Sequence, residues 1–112
     1  MLYQLEQGED ENMNWRKTGS DGRTIVWCKT QQEVDDFMDI AEYEGVEWGG
    51  SLYATLRSHT EALHPNVEYH IFPDNKLYYD PGIRQRKHAT ILGSELHNYA
   101  ISVRLKRGGT RD

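Results

Sequence analysis

Apolar and polar residues alternate along Val67-Glu68-Tyr69-His70-Ile71-Phe72, with Val67, Tyr69 and Ile71 on one side. That period of two predicts a strand. Pro73-Asp74-Asn75-Lys76 then reads as a turn, because Asp and Asn side chains bond their own backbone. Leu77-Tyr78-Tyr79-Asp80 is the returning strand, ended by Pro81-Gly82. The same alternation recurs further on, where Tyr99, Ile101, Val103 and Leu105 interleave with Ala100, Ser102, Arg104 and Lys106. It predicts a last strand with one buried face. Thr24 to Lys29 is strand-forming through Ile25, Val26 and Trp27. Across the Thr18-Gly19-Ser20-Asp21-Gly22 cluster it pairs with Asn14-Trp15-Arg16-Lys17 as a hairpin.

One segment follows the helical period. Val34, Phe37, Met38 and Ala41 fall at i, i+3, i+4 and i+7. Thr30-Gln31-Gln32-Glu33 before them is a capping box, in which the Thr30 hydroxyl accepts from the Glu33 N–H and Glu33 reaches back. Gly45 is placed to stop the helix, which covers residues 31–44. Val46-Glu47-Trp48 reads as a short strand start and Gly49-Gly50-Ser51 as a break that lets Trp48 pack. Residues 52–66, with Leu52, Leu56 and Leu63, fit a helical turn or a loop up to Pro65-Asn66. From Ile83 to Asn98 the only element offered is a short helix around Ser94 to Asn98.

These elements predict an α+β fold: a mainly antiparallel sheet of about five strands with one principal amphipathic helix on one face. The expected core is Ile25, Trp27, Val34, Phe37, Met38, Ala41, Trp48, Tyr69, Ile71, Ile101 and Val103. At 112 residues and 37% apolar composition the chain has material for a single small domain, helped by its twelve aromatics. Residues 1–12 read as a loose arm and 107–112 as a frayed tail. The longest apolar run, Thr24 to Cys28, is too short to cross a membrane, and the first residues lack the pattern of a secretion signal. A single cysteine fits a reducing compartment, so a cytoplasmic location is expected.

Charge changes the picture more than composition does. The net charge is -5, yet residues 1–56 hold 12 acids and 4 bases while the remainder holds 6 acids and 9 bases. Between Lys29 and Arg57 lie Glu33, Asp35, Asp36, Asp39, Glu42, Glu44 and Glu47 with no Lys or Arg. The acid–base pairs that stabilise solvated helices are therefore missing within that stretch. A chain with separated signs can bind a charged partner or pack head to tail with itself.

The block from Ile25 to Asp80 resembles a type of small accessory protein carried by tailed phages. The resemblance rests on a strand, the Thr30…Glu33-capped helix, Gly45-Val46-Glu47-Trp48-Gly49-Gly50 and the Tyr-rich hairpin Tyr69 to Tyr79. It covers about half of the chain. It implies a small α+β domain with a phage-borne accessory role, and it brings no catalytic residues.

Little in the residues favours catalysis. Cys28 beside Lys29 reads as a small core residue packed by Trp27. The histidines His59, His64, His70, His88 and His97 lack the close pairing of zinc ligands, so no metal is expected. Gly49-Gly50-Ser51 has no phosphate-loop pattern, and no strand–Ser–helix elbow supports a Ser/His/Asp site. The helix carboxylates lack the apolar pocket that raises an acid's pKa. No enzyme activity and no cofactor are expected.

Two constellations stand out. The first is the acidic set Asp35, Asp36, Asp39, Glu42, Glu44 and Glu47, which spaces charges about 5–6 Å apart, comparable to phosphates along a strand. Taken with the resemblance to small phage proteins, which is what implies a phage origin, this set leads to the expectation of a phage-encoded, non-enzymatic inhibitor of a bacterial defence system, of the anti-CRISPR or anti-restriction type. Its partner is a host defence protein or nuclease, held stoichiometrically in the infected cell's cytoplasm. The second is Tyr78, Tyr79, Arg84, Arg86, Lys87, Arg104 and Lys106, with Tyr69 and Tyr99 nearby, a set suited to stacking on bases and pairing with phosphate. It predicts a homo-oligomeric sponge for a signalling nucleotide. A virion or scaffold component is a third reading, marked by self-assembly. None of them involves a membrane.

Overall fold

The computed structural model describes residues 15–50, 55–79 and 86–107. The predicted arm 1–12, Asn14, Leu52, Asp80, Arg84 and all but the first residue of the predicted tail lie outside the described residues. Strand β1 (Thr24–Cys28) leads into helix α1 (Gln31–Tyr43), followed by β2 (Glu47–Trp48) and two short 3-10 turns at Leu56–Ser58 and Thr60–Ala62. Then come β3 (Val67–Ile71), β4 (Lys76–Tyr79), β5 (Ile91–Leu92), a 3-10 turn over Gly93–Leu96 and helix α2 (His97–Lys106).

The α+β class holds, but the sheet is mixed. Its order is β2-β4-β3-β1-β5. The pairs β1/β3 and β3/β4 are antiparallel, whereas β5 runs parallel to β1 and β2 parallel to β4. Register pairs Val26 with Tyr69 and Cys28 with Val67, which puts their side chains on one face. That face and the inner sides of α1 and α2 make a single core that includes Phe37, Ile40, Tyr69, Leu77, Leu96 and Val103. Trp15 closes one side, with ring centroids 6.4 Å from Phe37 and 6.3 Å from Tyr99.

Helix α1 starts as its capping box predicts. The Thr30 hydroxyl accepts the Glu33 N–H at 3.2 Å, while Glu33 Oε1 reaches one residue further back, to the Lys29 N–H at 2.8 Å. Gly45 follows the helix at φ +79°, and Val46 N–H returns to the Ala41 carbonyl. The β3–β4 turn also forms as read, with Asp74 Oδ1 accepting from the Lys76 N–H and Asn75 in the left-handed region.

Three expectations are corrected. Residues 99–105 are helical: Leu96, Tyr99, Ala100 and Val103 are the buried positions, at i, i+3, i+4 and i+7. Ile101, expected in the core, is 42% exposed, and Leu105 is 66% exposed. The principal helix is therefore joined by a second one. Among the described residues, the N-terminal hairpin is reduced to a single bridge between Thr18 and Thr24, because Trp15 is drawn into the core instead of lying along β1. Trp27 lies on the sheet face opposite the main core and is half-buried; the remaining predicted core residues are buried.

Candidate ligand pocket

The acids of α1 do not form a free face. Asp36 and Asp39, one turn apart, are both buried, and Arg104 of α2 bridges them: Nη2 to Asp36 Oδ1 at 2.9 Å and Nε to Asp39 Oδ2 at 2.6 Å. Arg57 Nη2 caps the other Asp39 oxygen at 2.5 Å, and Gln32 Nε2 and His97 Nδ1 complete Asp36 at 2.9 Å each. Burial works against the Arg104 charge, but the bonds to Asp39 and Asp36 outweigh it and hold the guanidinium above its ordinary value. Glu42 lies 3.7 Å from Arg57 and 3.9 Å from Arg107, Glu44 accepts the Tyr99 hydroxyl at 2.5 Å, and Glu47 pairs with Lys76 at 2.8 Å. Asp35 lies 3.8 Å from Arg57 with half its side chain exposed. The compensation that is absent within the acidic stretch comes from the basic half of the same chain. The two opposite-charged halves meet inside one subunit.

The Tyr–Arg/Lys set does not converge either. Tyr79 packs against Trp48 and His59, with centroids 6.0 and 5.6 Å apart. Tyr78 points the other way, half-exposed beside Phe72 and over Gly49, where an added Cβ would sit 2.1 Å from its ring. Gly49 therefore serves that close approach rather than a phosphate. Arg104 is spent on Asp36 and Asp39, and Lys106 lies over the Tyr43 ring at 5.8 Å. Arg84 lies outside the described residues. Arg86 and Lys87 remain.

Of these, Arg86 belongs to a different site. A recess of about 290 Å³ opens at the carboxyl ends of the parallel neighbours β1 and β5. Its lining is Trp27, Lys29, Glu33, Arg86, Leu92 and Ser94. Open α/β sheets place ligands outside the carboxyl ends of parallel strands, where loops diverge. Gly93 allows the close packing there: a Cβ would come within 3.0 Å of both the Trp27 carbonyl and the Glu33 Cβ.

Arg86 is brought to the recess by a buried anchor. Glu68 is fully buried on the outer sheet face, in register with Trp27. Its Oε2 accepts the backbone N–H groups of Lys87 and His88, each at 2.7 Å, and the His88 ring stands 3.5 Å from Oε1. A carboxylate with two such bonds fixes the chain segment next to Arg86. Of the eleven described Lys and Arg residues, eight have a side-chain partner among acids, amides or rings. The three without one among the described residues are Lys29, Arg86 and Lys87: two line the recess and the third follows in sequence.

Other candidate chemistry is quiet. Cys28 is buried, and burial with the charges of Glu33 and Asp36 pushes its thiol well above the ordinary value. Its Sγ–H points at the Glu33 carbonyl at 3.6 Å. Among the described residues no group of three or more His, Cys, Asp or Glu could hold a metal, and no helix is long and apolar enough to cross a membrane. The recess was legible only in part. Trp27, Lys29 and Glu33 stand close in sequence, but Glu68 occupies a position that alternation assigns to solvent, so nothing in the pattern announced that it would tether Arg86.

No protein-family model, curated protein or solved structure matches the chain.

Proposed function

We propose that the chain is a small, non-enzymatic binding domain that captures a nucleotide-like anion in the recess between β1 and β5. The carrying observation is the conjunction of a half-buried indole, Trp27, with two cations that have no side-chain partner among the described residues, Lys29 and Arg86. Aromatic stacking on a base is worth about 1–3 kcal/mol by alanine substitution. Lys29 and Arg86 beside it supply charge-assisted bonds to phosphate. In an accessory protein of the phage type, holding a signalling nucleotide would blunt a host defence response by stoichiometry, without turnover.

The reading in which the acidic helix holds a host defence protein or nuclease has less support. Of its six acids, Asp36 and Asp39 are buried in ion pairs, and only Asp35 and Glu47 keep about half or more of their side chains exposed.

Isothermal titration calorimetry against nucleoside monophosphates and cyclic nucleotides tests the proposal. Micromolar binding that weakens about tenfold on either Lys29→Ala or Arg86→Ala is expected, equivalent to about 1.4 kcal/mol each. Binding unaffected by both changes, or no binding, would contradict it.

A further inference from the structure

The wall of the recess contains an acid as well as two bases. Glu33 lines it beside Trp27, Lys29 and Arg86. Its Oε1 is engaged by the Lys29 N–H and lies next to Gly93. A carboxylate repels a bare phosphate but accepts hydrogen bonds from N–H groups. A ligand that suits the whole wall therefore carries an anion at one end and an N–H edge at the other.

Nucleobases differ sharply in this respect. Guanine presents N1–H and the N2 amino group side by side, a fork that matches the two oxygens of a carboxylate. Adenine and cytosine put a ring acceptor beside their amino group, and uracil flanks its single N–H with two carbonyl oxygens. Each of these turns a lone pair toward the acid.

We propose that the recess selects a guanine nucleotide, with the base against Trp27, its donor edge at Glu33 and its phosphate at Lys29 and Arg86. This rests on the nucleotide-capture reading above. The volume of about 290 Å³, just below the ~300–1,000 Å³ range of ligand pockets, leaves room for no more than one mononucleotide. The same guanine and phosphate can come from a free nucleotide or from the end of a strand, and the proposed ligand is the free form.

Glu33→Gln is the informative variant, because Gln also serves in a capping box and the start of α1 is kept. Calorimetry on the full chain compares GMP, AMP, inorganic phosphate and a short RNA strand beginning with guanosine 5′-phosphate. GMP is expected to bind about tenfold tighter than AMP, and the preference to disappear in Glu33→Gln, with GMP weakened and AMP affinity not reduced. Equal affinity for GMP and AMP overturns guanine selection and leaves nucleotide capture standing. A preference that survives Glu33→Gln overturns the role of that carboxylate. Strand binding about tenfold tighter than GMP overturns the free nucleotide as ligand. No heat from either nucleotide, or phosphate binding as tightly as GMP, overturns both the selection and the capture reading.

Discussion

The backbone N–H of Lys87 donates at 2.7 Å to Oε2 of Glu68, a fully buried side chain on the outer sheet face. The next N–H, of His88, donates to the same oxygen. The segment behind Arg86 is thus held by a side chain rather than by a strand ladder. Glu68→Ala strands two backbone donors, and a loss of about 3 kcal/mol in urea unfolding is expected. In native-state hydrogen exchange, the Lys87 and His88 amides should be protected in the parent chain and exchange fast in the variant. Slow exchange of both in Glu68→Ala would show that another contact holds the segment.

Arg104 is predicted to be a stability residue and not a ligand residue. Removing it leaves Asp36 and Asp39 buried with part of their compensation lost, which costs about 3–5 kcal/mol for such pairs. Arg104→Ala should therefore lower the urea midpoint strongly, whereas Asp35→Asn, which removes only a long, half-exposed contact to Arg57, should cost no more than about 1 kcal/mol. The contrast separates the buried acids of α1 from the exposed one.

Gly93→Ala places a methyl against the Trp27 carbonyl and Glu33. Overpacking of this kind costs about 1–3 kcal/mol. Because the contact lies in the recess wall, ligand affinity should fall together with the thermal midpoint. A fully stable Gly93→Ala chain would mean that β5 and α1 separate more easily than their packing implies.

Alkaline pH should expose two buried phenols. Burial, with Cys28 adding to it, holds the Tyr69 hydroxyl well above its ordinary value; burial and the bond to Glu44 do the same for Tyr99. The folded state binds these protons more tightly than the unfolded chain. Their contribution is complete below about pH 10 and is lost as pH rises beyond it. A phenolate absorbance titration should show two of the seven tyrosines failing to ionise with the rest until the chain unfolds.

Where local chemistry decides structure, the sequence is readable. Thr30, Glu33 and Gly45 bound α1 because caps and left-handed stops act over a few residues. The β3–β4 hairpin follows from alternation and the Asp74-Asn75 turn. The second helix was hidden by overlapping periods. Val103 and Tyr99 fit both a strand and a helix, and Ala100, too small to mark a face, decides the question once Leu96 is counted with it. Strand β5 has two residues and takes its place from pairing with β1, so no local signal exists for it. The charge asymmetry was visible, but its meaning was not: Arg57 and Arg104 reach Asp39 from 18 and 65 residues away. The recess shares that dependence on distant pieces, since Arg86 and Ser94 meet Trp27 only in the folded sheet.

Two-dimensional amide NMR of the labelled chain, titrated with GMP, tests nucleotide capture most directly. Trp27 is half-buried while Trp15 and Trp48 are buried, so one of the three indole signals should move strongly. The account predicts that it is Trp27, together with the amides of Lys29, Glu33, Leu92 and Ser94, while Asp35 and Glu47 stay still. A spectrum without changes, or with changes confined to the outer face of α1, would contradict it.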